Sequence, residues 1–109
     1  MPAANLSHGE QRQLEIAMTL ATRPRILLLD EPLAGMGSEE SARMVELLRG
    51  LKQAHAVLLV EHDMDAVFAV ADRLTVMVNG SVLESGFPEL IRASAAVQEA
   101  YLGVEESHQ

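Results

Sequence analysis

Two carboxylates stand side by side at the end of an aliphatic run, Ile26-Leu27-Leu28-Leu29-Asp30-Glu31-Pro32. Four consecutive aliphatic residues without polar alternation suit a parallel strand covered on both faces, and the run stops where such a strand would leave its sheet. In open α/β sheets this carboxyl edge is where ligands bind, and a strand-end Asp is one way to hold the Mg²⁺ that accompanies nucleotide phosphates. Asp30 is therefore a candidate metal ligand, and Glu31 a candidate to orient or deprotonate water. A second aliphatic run, Ala56 to Val60, ends in Glu61, His62 and Asp63, so two strand ends should converge on one site. Many strands end in acid simply because loops are polar, and the flanking sequence has to discriminate.

The elements that would position these groups can be read in order. Asn5 to Ala21 reads as a helix in which Ser7 accepts from a first-turn amide while Glu10 reaches back, the capping-box pattern. Leu14, Ala17, Met18 and Ala21 repeat at helical spacing and are expected to face a core. After the strand, a turn carrying Pro32, Gly35 and Gly37 leads to a helix capped by Ser38, with Glu39 and Glu40 at its amino end and Met44, Leu47, Leu48 and Leu51 as its buried stripe. Strand, helix and strand in this order imply a right-handed βαβ crossover. Asp63 can cap a short helix from Met64 to about Ala71. Leu74 to Val78, Asn79-Gly80 and Ser81 to Ser85 then spell a β-hairpin. A short helix follows Pro88 near Glu89 to Arg92, and an amphipathic segment, Ala95 to Leu102, is expected to end at Gly103.

Composition narrows the class. A chain of 109 residues that is 49% hydrophobic suits one small α/β domain, and 3% aromatic content makes its core aliphatic. The net charge of -8, without a basic cluster, argues against a nucleic-acid surface or a polybasic membrane anchor. No cysteine is present, which excludes disulfides and thiolate metal sites. No apolar run approaches the roughly 18 residues needed to cross a bilayer, so direct membrane insertion is not expected. His55, in a polar loop, and His108 read as solvated, and Asp72 and Arg73 as a structural turn.

The order of these motifs resembles the nucleotide-binding subunit of ATP-binding cassette (ABC) transporters. Leu6-Ser7-His8-Gly9-Glu10 is similar to the signature loop, normally Leu-Ser-Gly-Gly-Gln, and Ile26 to Glu31 to the Walker B strand with its following glutamate. Ala34-Gly35-Met36-Gly37 sits where the D-loop belongs, and His62 matches the switch histidine. Leu-Glu-Ile-Ala at 14 to 17, Glu61-His62-Asp63-Met64 and Tyr101-Leu102-Gly103 resemble the branched-chain amino acid uptake subfamily.

The resemblance implies a partial P-loop NTPase sheet with flanking helices. It implies ATP and Mg²⁺ as cofactors, with Asp30 on the metal, Glu31 acting on the attacking water and His62 contacting the γ-phosphate. Ser7, Gly9 and Glu10 would face the γ-phosphate of a nucleotide held by a second nucleotide-binding subunit, in a head-to-tail dimer carried by transmembrane permease subunits. The location implied is cytoplasmic, peripheral on the inner face of the cell membrane. Two departures matter: His8 replaces a glycine and Glu10 replaces the glutamine. If Glu10 turns back to the backbone, its charge points away from phosphate.

No Gly-x-x-x-x-Gly-Lys-[Ser/Thr] occurs, and the one lysine, Lys52, lies inside a helical pattern. By resemblance, residues 1–104 are expected to be the carboxyl-terminal part of a nucleotide-binding domain, lacking the phosphate-loop strand, with 105–109 a polar tail. Such a piece is expected to be inactive alone and to self-associate through unpaired strand edges. The competing expectations are a non-catalytic half-domain that docks to an intact subunit, or an ATPase serving another cargo such as urea or lipopolysaccharide.

Overall fold

The structure, a computed structural model, describes residues 6–107. Its elements are α1 (His8–Leu20), β1 (Ile26–Asp30), α2 (Ser38–Leu51), β2 (Ala56–Val60), α3 (Met64–Val70), β3 (Leu74–Val78), β4 (Ser81–Gly86), α4 (Pro88–Ala93) and α5 (Ala95–Ser107). They divide after Val70 into two compact units. The expected helix start at Asn5 and the tail's last two residues lie outside the described residues.

In the first unit, β1 and β2 pair in parallel, with Ile26 opposite Ala56 and Asp30 opposite Val60. Because successive strand residues point to opposite faces, Leu27, Leu29, Val57 and Leu59 share one face and pack into the core. That core also holds Ile16, Leu33, Met44, Leu48, Leu51, Ala66 and Val70. The stripe expected on α2 is the one observed, with Met44 and Leu48 at 0% exposure. Gly37, not Ser38, is the cap residue of α2, and no side chain bonds to its first turn from that position. Lys52 donates from Nζ to the Val70 carbonyl at 2.8 Å, tying the ends of α2 and α3. His55, expected to be solvated, is half-buried, and its Nδ1 lies 3.1 Å from the Pro24 carbonyl oxygen.

Two expectations fail here for one reason. The strands are covered on one face only: Ile26, Leu28, Leu58 and Val60 on the other face are 69, 67, 59 and 48% exposed. On α1 the residues turned inward are Ile16 and Leu20, while Leu14 and Met18 are exposed. An aliphatic run requires burial on both faces only if something covers both, and α1 offers two apolar stripes between which periodicity cannot choose. Leu14 and Met18 belong to the stripe that this chain leaves uncovered.

In the second unit, β3 and β4 form an antiparallel hairpin with an irregularity between Val76 and Met77. Asn79 and Gly80, with φ of 51° and 79°, make the turn that an Asn-Gly pair favours, since both central residues need positive φ. Leu74, Ile91 and Val97 are buried. Phe87, for which the sequence offers no role, lies beneath the Arg73 guanidinium, 4.7 Å from the ring centre. Ser94 accepts from the Val97 amide at 3.3 Å and so caps α5. The helix continues through Gly103 to Ser107, because a glycine inside a helix costs only about 1 kcal/mol.

Candidate functional site

The two parallel strands end beside each other, and the chain leaving β1 turns at once. Glu31 takes a positive φ of 47°, a conformation that costs a residue with a Cβ of order 1–3 kcal/mol and persists only where its surroundings impose it. Its N–H donates to the Val60 carbonyl at 2.7 Å, extending the β1–β2 ladder by one bond. The turn closes with Ala34 N–H donating to the Glu31 carbonyl at 3.1 Å, and Pro32 and Leu33 are buried behind it.

The side chain of Glu31 thereby reaches the end of β2. Its Oε1 lies 2.7 Å from His62 Nδ1, the distance of a charge-assisted hydrogen bond in which the imidazole donates. The pair is open to solvent, with the His62 side chain 77% and that of Glu31 45% exposed. The bond to Glu31 raises the His62 pKa above its ordinary value of 6.5, and the Glu31 charge adds to it. Slight burial opposes that shift, while Glu61 and Asp63 add small contributions upward.

Glu61 is the residue that motif reading passes over. Its side chain is only 1% exposed, although its backbone is not buried. Oε2 accepts from Leu33 N–H at 3.3 Å and Oε1 from His62 N–H at 3.1 Å. One carboxylate thus fastens the turn after β1 to the turn after β2, setting Glu31 and His62 at their separation. Asp63 accepts from Ala66 N–H at 3.2 Å and starts α3, which anchors the far side of His62. The available signal was an acidic residue directly following an aliphatic strand, which is too common to single out.

Ligand oxygens and nitrogens of Glu31, Glu61 and His62 lie within 4.8 Å of one another. Asp30, the expected metal ligand, is not in that group. It is exposed and borders a shallow hollow of about 170 Å³ shared with Arg12, Glu15 and Thr19 of α1. As an open carboxylate at a strand's carboxyl end it fits Mg²⁺, which takes one or two carboxylates and fills its remaining positions with phosphate and water.

At the start of α1, Ser7 Oγ accepts from the Glu10 amide at 3.1 Å and Glu10 Oε1 accepts from the Ser7 amide at 3.2 Å. Glu10 therefore turns back on its own helix, the orientation expected from the capping-box pattern. Gly9 is buried, and its N–H donates to Glu40 Oε2 at 3.0 Å. The structure thus brings Glu31 and His62 into contact. It groups Ser7, Gly9 and Glu10 on one helix turn, joined through Glu40 to the start of α2.

A sequence model of the ABC transporter family matches residues 1–34. The chain is similar to the high-affinity branched-chain amino acid transport ATP-binding protein LivG of Escherichia coli (strain K12), 46% identical over 103 residues, which are 93% of this chain and 40% of LivG. BraF of Pseudomonas aeruginosa, also a high-affinity branched-chain amino acid transport ATP-binding protein, gives the same identity and coverage. Among solved structures, MJ1267, an ATP-binding cassette of an ABC transporter, is similar with a TM-score of 0.79 and 30% identity, over 91% of this chain and 41% of that one. The chain spans about two fifths of the length of the relatives it matches.

Proposed function

We propose that this chain, homologous along most of its length to the ATP-binding proteins of ABC transporters, is the carboxyl-terminal part of an ATP-hydrolysing importer subunit, with branched-chain amino acids as cargo. The observation that carries the reading is the 2.7 Å contact between Glu31 and His62 at two adjacent strand ends. The uncovered face of β1 and β2 supports the view that more polypeptide completes the fold, since half-exposed aliphatic side chains in a row are unusual on a finished surface. The active unit is a head-to-tail dimer docked on permease subunits at the inner face of the cell membrane. This chain by itself does not turn over ATP.

On this reading the residues of the site divide the work. Glu31, half-exposed, accepts a proton from water or orients it. His62 holds that carboxylate through Nδ1 and, when protonated, turns its other N–H outward toward phosphate oxygen. Asp30 would hold Mg²⁺, which neutralises charge developing on transferred phosphate when bound. Ser7 keeps a hydroxyl proton free at the positive end of α1 for an anion brought by the opposite subunit.

Calorimetry with Mg-ATP on this chain is the first test. No heat of binding at millimolar nucleotide is expected, because no phosphate-cradling loop is present. Binding that Asp30→Asn abolishes would overturn the reading that this piece depends on further polypeptide. In a complete subunit containing this segment, Glu31→Gln should lower turnover by at least about a hundredfold, the usual scale for a general base. Undiminished turnover would remove Glu31 from the mechanism.

A further inference from the structure

Glu40 lies three residues into α2, and its carboxylate leaves that helix to take the Gly9 amide of α1 at 3.0 Å, across 31 positions of sequence. Amides in a helix's first turn lack intrahelical partners, and that end of the helix carries partial positive charge. Glu40 therefore sits near the positive ends of α1 and α2 at once. The approach is close: a Cβ added at residue 9 would come within 2.7 Å of Oε2. A side chain at position 9 would therefore displace this carboxylate from the amide. The His8 ring flanks Gly35, 3.7 Å from where a Cβ on that glycine would stand. The first turn of α1 is thus tied to α2 through Gly9, with His8 alongside the turn that precedes α2.

We propose that Glu40 is the positioning residue of the Ser7–Glu10 turn, its carboxylate fixing the Gly9 amide and so holding the neighbouring Ser7 hydroxyl in place before nucleotide arrives. The link to nucleotide rests on the function proposed above, whereas the clasp between α1 and α2 does not. Preorganisation of this kind lowers the ordering cost of binding and is read in affinity more than in the chemical step. Gln at position 40 keeps an acceptor oxygen and Ala does not, so the two substitutions separate the bond from the side chain's bulk.

The test has two readouts. In this chain, Gly9 amide exchange should accelerate at least about tenfold in Glu40→Ala and stay within about threefold of the parent in Glu40→Gln. Protection at Leu48 serves as the control for folding. Should it fall in Glu40→Ala, then Gly9→Ala, which pushes a methyl group against the carboxylate, gives the same readout at residue 9. Unchanged exchange at residue 9 in a folded variant overturns the clasp. In a complete subunit carrying this segment, Glu40→Ala should raise KM for Mg-ATP by roughly tenfold with kcat within about twofold, and Glu40→Gln should restore KM. A fall in KM would overturn the proposal, because Glu40 would then compete with nucleotide. A parent subunit without ATP turnover would instead refute the function proposed above and leave the exchange result to decide the clasp.

Discussion

Replacing Glu61 by Ala tests whether one buried carboxylate holds the site together. Its two oxygens accept from Leu33 and His62 amides at 3.3 and 3.1 Å, and its side chain is 1% exposed. Hydrogen bonds to a charged group contribute about 1.5–3 kcal/mol each, and removing the acceptor leaves both donors short of a partner. The first bond is long and the His62 backbone is near solvent, so a total of about 3 kcal/mol is expected. For a unit of this size, whose stability is of order 3–10 kcal/mol, such a loss is large. With a urea slope of about 1.5 kcal/mol/M, the midpoint should fall by about 2 M. The chain has no tryptophan, so unfolding would be followed by far-UV circular dichroism. Glu61→Gln, which keeps one oxygen acceptor, should lose about half as much. A Glu61→Ala midpoint within about 0.3 M of the parent would refute the claim that this carboxylate fastens the two turns.

Other expectations follow from the same geometry. By NMR, His62 should titrate above 6.5 and return toward it in Glu31→Gln, since the Glu31 bond is the largest cause of its raised pKa; equal titration in both would contradict the observed pairing. A raised folded pKa means that the pair's stabilisation is complete below the unfolded value and is lost as pH rises through the folded one. With the His62 side chain 77% exposed, that contribution stays below about 1 kcal/mol, as pH-dependent unfolding would measure. Met44→Ala, at a site with 0% exposure, should cost about 2–5 kcal/mol, whereas Met18→Ala, at 65%, should stay within about 0.5; equal costs would show the core misplaced. The chain, of mass 11.8 kDa, should sediment as more than a monomer, and Leu28→Glu with Leu58→Glu on the uncovered strand face should shift it toward monomer. A monomer at all concentrations would refute that role for the face.

Much of the architecture was legible because it rests on local chemistry. The aliphatic runs ending in Asp30 and Val60, the Met44 and Leu48 stripe, the Asn79-Gly80 turn and the Ser7–Glu10 capping box all depend on neighbours within a few residues. The side of α1 facing the core was not legible, because periodicity reports that a helix has apolar stripes and cannot report where the sheet lies. Nor was the one-sided burial of β1 and β2, since an aliphatic strand looks the same whether or not its second face is covered. His55 illustrates the same limit: the Pro24 carbonyl that holds it lies 31 residues away.

For the site, sequence alone determined the residue types and their order: two acids at the end of one strand, a histidine two positions beyond another, and a serine capping a helix. Those follow from side-chain identity and strand and helix periods, which tertiary context does not change. Only the tertiary structure decided that Glu31 meets His62 at 2.7 Å, that Asp30 stands apart beside α1, and that Glu61 and Glu40 are spent on amides of other segments. A carboxylate has no sequence signature for the donor it will find, because that donor is brought near by packing of segments far apart in the chain.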